Sequence, residues 1–320
     1  MFEFGWKGRV VPTTTTNGGA RPMWHGDQLD LDAYLARLGH AGRRTPTLGT
    51  LRALHRAHVL TVRWGNLDCL LHGDVPLDLD TVQDKLVRRG QGGYCFEHTV
   101  LYAAALERLG FAFTAVSGRP RMGADRIRPA THAMVLVTVE GRRWLSDIGF
   151  GTSPLDVIEL VDGNEPAIEG RRFWLRHTEV TPGAEGWMLH QQDADGGWMA
   201  RHTFTENPQY PADFALGNHF IATSSHSPFN RRPFLQRVRP ERTDQLDGLT
   251  WTTTAATGLA PEEERTVEPS ELPELFAGPF GIDLSEEDAR LLVDHVERGT
   301  HGEHGAHGRR PAGPGRGRVR

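Results

Sequence analysis

Lysine is nearly missing from this 320-residue chain: Lys7 and Lys85 are the only two, and arginine supplies the other cations. The formal net charge is −5 at pH 7. General nucleic-acid or membrane-surface binding needs the opposite balance. Cysteine is equally scarce. Cys69 and Cys95 are too few for a disulfide framework, and no CxxC or zinc-type spacing occurs. No apolar run is long enough to span a bilayer, and the first 23 residues hold no signal-peptide core. These absences lead us to expect a cytoplasmic protein with free thiols and no metal, nucleic-acid or membrane partner. What is present, 38% hydrophobic and 24% charged residues, is ordinary for a globular protein. The length suffices for two or three domains.

The stretch Gly92-Gly93-Tyr94-Cys95-Phe96-Glu97-His98 organises the rest. It leads into a run over 96–109, rich in Ala and Leu, that closes at Gly110, a suitable residue after a helix end. Cys95 is therefore predicted in the first turn of a buried helix. Orphan N–H groups and the positive end of the helix dipole favour a thiolate there. The two glycines let another backbone or a ligand come close. The competing reading is a small buried hydrophobe. The residues that count against it lie downstream.

Those residues are His132 and Asp147. Residues 132–139 and 142–149 read as two strands joined by a tight Glu140-Gly141 turn. Pairing Val139 with Arg142 and continuing the register sets His132 opposite Gly149. Asp147 is then one diagonal step away on the same face. A carboxylate there can hold the imidazole and its cation, and the imidazole can take a thiol proton. That is the logic of a Cys-His-Asp triad.

Around this centre the chain reads as three parts. Leu29, Leu31, Tyr34, Leu35 and Leu38 share a helix face opened by Asp30 or Asp32. Thr47 caps a second helix and Asp80 a third that ends near Gly90. His55 and His58 read as a packed or solvated pair and Cys69 as a buried, inert thiol. From Phe111 the period changes to strands at 111–117, 171–177, 187–192 and 198–204, besides the hairpin. Trp144, Trp174, Trp187 and Trp198 then serve sheet packing. The loop 118–130, with Arg119, Arg121, Arg126 and Arg128, reads equally as an active-site rim for anions or as a solvated loop. A helix at 213–223, strands within 235–253 and helices at 271–276 and 285–296 follow, the last with Ser285 and Asp288 placed like a capping box. The expected division is a disordered 1–23, a helical domain 24–110, a β-domain 111–220, a smaller α/β lid 221–298 and a disordered, solvated tail 299–320 holding His301, His304 and His307.

The chain resembles the arylamine N-acetyltransferases. The resemblance is carried by Arg88-Arg89-Gly90-Gln91-Gly92-Gly93-Tyr94-Cys95-Phe96-Glu97-His98, Thr131-His132, Asp147-Ile148-Gly149-Phe150-Gly151, Asn218-His219-Phe220-Ile221-Ala222-Thr223 and Ser227-Pro228-Phe229. It extends from about Leu29 to about Val296. It implies an α+β fold: an N-terminal helical bundle, a central antiparallel β-barrel or sheet, and a C-terminal α/β lid around a cysteine-protease-like core. It implies Cys95 as nucleophile, His132 as base and Asp147 as the residue that orients it. Acetyl-CoA is the implied donor and a small-molecule amine the acceptor. The backbone N–H groups of Cys95 and Thr131 are the implied oxyanion donors. Trp64, Phe150 and Phe229 are the implied acceptor walls, with plain core packing as the competing role of each. Arg231 and Arg232 are candidates for the CoA phosphates, without a phosphate-loop signature behind them.

One departure bears on the chemistry. Members of the family carry a glutamate where Gly65 stands and an arginine where Gln91 stands, an expected buried ion pair. Both charges are gone together here, which can be near neutral, whereas losing one alone is costly. The altered pocket keeps a second reading open: an amide synthase that joins a polyketide chain, held as a thioester on an acyl carrier protein, to an aromatic amine. The same residues would also serve a thioester hydrolase, with water as acceptor, or a non-catalytic binding relative.

Overall fold

The computed structural model describes residues 23–255 and 260–306, with side chains up to 298. The disorder expected at both ends falls outside the described residues except at their inner margins. There the final helix continues to Ala306, past the expected stop at 296.

The helical part begins with α1 (Leu31–Leu38) and α2 (Leu48–Thr61). Asp30 accepts from the Ala33 N–H at 3.0 Å and Thr47 from the Thr50 N–H at 3.2 Å, so each side chain satisfies an orphan donor of its helix. A two-residue strand, β1 (Trp64–Gly65), is followed by α3 (Leu67–His72) and α4 (Leu79–Gln83). The cap of α4 is Asp78, not Asp80: its carboxylate takes the Thr81 N–H at 2.9 Å, and Asp80 sits inside the first turn. Helix α5 (Cys95–Arg108) is the centre of the molecule, buried at every residue from Cys95 to Leu106. Leu101 and Leu106 are fully covered, and truncating either to Ala should cost about 2–5 kcal/mol.

The sheet part contains β2 (Ala112–Pro120), β3 (His132–Val139), β4 (Arg142–Ser146), β5 (Ile158–Glu159), β6 (Ala167–Ile168), β7 (Arg171–Thr181), β8 (Ala184–Gln192) and β9 (Trp198–Phe204). They form one sheet in the order β5-β4-β3-β2-β9-β8-β7-β6, with antiparallel ladders throughout. Glu140 and Gly141 both take positive φ, 54° and 73°, the geometry a two-residue hairpin demands. Val139 pairs with Arg142 as expected, but the ladder stops at Val135 and Ser146. The expected strand to Gly149 is therefore shorter. The chain leaves the sheet because Gly149 passes against the start of α5, where a Cβ would lie 2.9 Å from the Cys95 Cα.

Helix α6 (Pro211–Thr223) crosses the border expected at residue 220. Its Phe214 packs on Trp24 and Phe96 at 5.6 and 5.5 Å between rings. The last part holds β10 (Phe234–Val238), β11 (Arg242–Asp247), β12 (Thr250–Ala255), β13 (Glu263–Thr266), α7 (Leu272–Leu275) and α8 (Glu286–Ala306). Ser285 accepts the Asp288 N–H at 3.0 Å, as the capping pattern predicts. The edge of this second sheet is β1: Trp64 pairs with Gln236 and Gly65 with Leu235. A strand from the helical part thus ties the lid to the loop before Cys95. Among the described residues, no helix is long and apolar enough to cross a membrane.

Candidate active site

Cys95 is the first residue of α5, so its N–H has no intrahelical acceptor. The loop before it is held from two sides. Gly93 exchanges backbone hydrogen bonds with Arg63 and Gly65 at 3.1 and 2.8 Å. This close approach explains the glycine: a Cβ there would lie 2.8 Å from the Glu97 carboxylate. Glu97 in turn accepts the Tyr94 N–H at 3.0 Å and pairs with Lys85 at 2.7 Å, which also meets Asp68 at 2.7 Å. Burial works against the Lys85 cation, yet the two carboxylates outweigh it and hold its pKa above the ordinary value. One of the two lysines in the chain is therefore buried beneath the cysteine loop, a role that sequence reading did not assign.

The structure brings Cys95, His132 and Asp147 together. The Cys95 sulfur lies close enough to the His132 imidazole to help raise its pKa, and the Cys95 thiol donates to the Thr131 carbonyl at 3.5 Å. The Nε2 of that ring lies 2.9 Å from Asp147 Oδ1. All three residues are buried, at 5%, 3% and 1% exposure. Burial alone would push the His132 imidazolium down, but the charges and hydrogen bonds of Asp147 and Cys95 hold it up at about 9. Burial likewise raises Asp147, and the two imidazoles that touch it more than reverse this, leaving it well below the usual carboxylate range.

The second imidazole is His202, absent from the sequence reading. Its Nε2 lies 2.9 Å from Asp147 Oδ2, and it is fully buried. A β-bulge places it there. On β8, Leu189 pairs with His202 and His190 with Ala200, so Arg201 has no partner. The extra residue lets Arg201 and His202 both turn inward, which strict alternation would forbid. Arg201 stacks its guanidinium 4.6 Å from the Phe150 ring centre and donates to the Thr152 carbonyl at 3.1 Å. It thereby braces the loop that follows Asp147. Two large polar residues side by side in a strand that is otherwise apolar except for Thr203 were the available signal. His132, Asp147 and His202 have ligand-type atoms within 4.8 Å of one another, but these atoms already serve imidazole–carboxylate hydrogen bonds.

The three aromatic positions also converge. Trp64 donates its indole N–H to the Gly149 carbonyl at 2.8 Å and packs edge-on against Phe229 at 5.4 Å. Phe150 meets the His132 ring at 4.7 Å. Thr131 differs from expectation. Its N–H is taken by the Pro129 carbonyl at 3.0 Å, and its own carbonyl faces the Cys95 sulfur at 3.5 Å. It presents an acceptor where an oxyanion needs a donor. Arg232 pairs with Asp247 and Arg231 donates to the Ser225 carbonyl, so neither guanidinium is free of protein contacts. In the loop 118–130, Arg119 donates inward to the Arg128 carbonyl at 2.8 Å. At the place of the missing charge pair, a Cβ on Gly65 would lie 2.6 Å from Leu235 Cδ1. Leu235, Phe276 and Ile282, together with Asp68, line the space between Gly65 and Gln91.

The fold is thus α+β, with a cysteine at the start of a buried helix set against a buried His–Asp pair. The N-acetyltransferase family model matches residues 47–289. The arylamine N-acetyltransferase of Escherichia coli is 30% identical over 277 residues, covering 83% of this chain and 93% of its own. The solved structure of the Mycobacterium abscessus enzyme is 45% identical with a TM-score of 0.84, covering 88% of this chain and 99% of the other. That of the Nocardia farcinica enzyme is 46% identical with a TM-score of 0.82, covering 88% and 100%. The chain belongs to the arylamine N-acetyltransferase family. A Mycobacterium marinum member solved in complex with CoA aligns with a TM-score of 0.76 at 27% identity, covering 84% and 99%.

Proposed function

We propose that this protein carries an acetyl group from acetyl-CoA to the nitrogen of an arylamine, hydrazine or related amine, through an acyl-Cys95 intermediate. One observation carries the reading: the Cys95 sulfur stands beside an imidazole whose Nε2 is tied to a buried carboxylate. His132 takes the thiol proton, and the sulfur attacks the thioester carbonyl. The tetrahedral oxyanion draws on the free N–H of Cys95 at the helix start. The bond to the CoA sulfur breaks, and the imidazolium returns its proton to that sulfur. One thioester has replaced another, so this half-reaction needs little driving force. The amine nitrogen then attacks the acyl-cysteine, His132 takes the ammonium proton, and the amide leaves as the Cys95 thiol re-forms.

Trp64, Phe150 and Phe229 form aromatic walls suited to an aromatic acceptor. Of the two arginines proposed for the CoA phosphates, Arg232 is neutralised by Asp247. Arg231 meets a backbone carbonyl and is the better placed to receive an anion. No observation favours a carrier-bound donor over CoA.

The test is the intact mass of the protein after exposure to acetyl-CoA, then to an aromatic amine. An acetyl adduct in the wild type, absent in Cys95→Ala and discharged by the amine into an amide, is the expected result. Loss of the adduct to water without amine-dependent product would mean a hydrolase. No adduct at all would leave a binding relative. Loading by long acyl thioesters in preference to acetyl-CoA would mean an amide synthase.

A further inference from the structure

We propose that His202 is a positioning residue for the Cys95–His132–Asp147 reaction centre: through its Nε2–H it fixes the Asp147 carboxylate so that the other oxygen faces His132. The inference rests on the proposed function and extends it to a fourth side chain. Its ground is the paired geometry of Asp147, with Oδ1 and Oδ2 each 2.9 Å from an imidazole Nε2. Oδ2 can only accept, so the Nε2 of His202 must carry the proton. Its Nδ1 is buried without a partner, as a neutral ring with that tautomer allows. Burial holds the His202 pKa down at about 4, despite its carboxylate partner.

The two rings on one carboxylate therefore do different work. His132 exchanges the proton with sulfur. Burial favours the neutral form of His202, which then acts as a fixed dipole. Without it, Asp147 has one donor in a fully buried site and can turn about its own bond. The groups facing Asp147 are His132 from β3, Cys95 beyond it on α5, His55 from α2, and Arg201 and His202 from β9. His55 is occupied by Ser146 and the Pro154 carbonyl, each at 2.8 Å. Arg201 donates to Gln191 and Thr152. Among the described residues, no other side-chain hydrogen bond reaches Oδ2, which is why the bulged strand matters.

The test uses the full chain and two variants. His202→Phe keeps a flat ring and removes the donor. His202→Gln keeps an N–H near the same place. Removing the positive end of a dipole makes every neighbouring group hold its proton to higher pH. The pH window in which Cys95 reacts with iodoacetamide should therefore move up by about one unit in the Phe variant. Its acylation rate should fall roughly ten- to hundred-fold with little change in the donor KM. His202→Gln should restore the wild-type window and most of the rate. A Phe variant with an unchanged window and rate would overturn the assignment. So would a Gln variant as impaired as Phe, since packing alone would then explain both. Should Phe fail to fold, a folded Gln variant with a displaced window still refutes the idea, and one with the wild-type window supports it. Alkylation needs no acyl donor, so this result stands apart from whether the proposed donor is right.

Discussion

Cys69 and Cys95 are both buried, at 1% and 5% exposure, and both lie in helices of the same hydrophobic core. Their surroundings differ in one respect. The Cys69 sulfur has backbone carbonyls for company, Ile221 at 3.8 Å and Ala222 at 3.9 Å. Burial, with the charge of Glu97 nearby, pushes its thiol up to about 11. Cys95 meets an imidazole that can take a proton and a carboxylate that stabilises the resulting cation. Burial by itself makes a thiol inert, and what decides reactivity is a partner able to carry the proton.

The buried histidines repeat the contrast. In the helical part, His98 Nε2 faces the carbonyls of Arg63 and Gly93 at 3.2 and 3.1 Å, so it must carry the proton. Its Nδ1 then accepts from His58 Nε2 at 3.0 Å, and His58 Nδ1 accepts from the Tyr34 hydroxyl at 2.8 Å. Every tautomer is fixed and, among the described residues, no carboxylate hydrogen-bonds to either ring. Burial holds His58 well below the ordinary value and His98 at about 4. Near the sheet, the same burial acts on His132, and Asp147 reverses it.

The largest effect should come from exchanging the two thiols' fates. Cys95→Ser should abolish the acetyl adduct, while Cys69→Ser should load at close to the wild-type rate; loss of loading in the Cys69 variant would erase the contrast. Next comes Asp147→Asn, which inverts the tautomer that His132 needs. A drop of about 10³–10⁴ in acylation is expected, measured as single-turnover loading. Gly149→Ala should cost about 10², because its Cβ would stand 2.9 Å from the Cys95 Cα and push the sulfur out of line. His58→Phe sharpens the comparison from the other side. It leaves the Tyr34 hydroxyl and the Nδ1 of His98 without their partner and should destabilise the fold by about 1–3 kcal/mol in denaturant melts. The Cys95 alkylation profile of the folded fraction should stay in place.

The smallest effect concerns pH. His132 has a raised pKa, so its contribution to stability is complete below 6.5 and fades as pH rises through about 9. Asp147 is lowered, so its contribution is present above 3.8 and fades as pH falls. His58, His98 and His202 have lowered pKa values and act in the opposite sense to His132, losing stability as pH drops below 6.5. The stability difference between wild type and His132→Phe should therefore shrink between pH 6.5 and 9.5. A constant difference across that range would mean that His132 is not held as the cation.

Much of this centre was legible in the sequence because it depends on local signals. Glycines before Cys95, an Ala- and Leu-rich run after it and Gly110 at its end define α5. The Glu140-Gly141 turn sets the register of β3 and β4, with His132 at the start of β3 and Asp147 just past the end of β4. What stayed hidden depends on departures from period and on distant chain segments. The bulge at Arg201 breaks the alternation by which His202 would have been read. The role of Thr131 hangs on which way one peptide turns, and its carbonyl rather than its N–H faces the sulfur. The burial of Lys85 depends on Asp68 and Glu97, one of them 17 positions upstream (85 − 68). The Gly65 and Gln91 replacements were visible, but the leucine that fills their space comes from residue 235.

The most direct measurement compares the two sulfurs within one molecule. Wild-type protein at pH 6 is pulsed with iodoacetamide, and each cysteine is quantified by peptide mass spectrometry. Cys95 should react about 100-fold faster or more than Cys69, and His132→Ala should remove most of that lead. Slow, equal labelling of both, or a lead that survives the loss of His132, would contradict the claim that this imidazole activates Cys95.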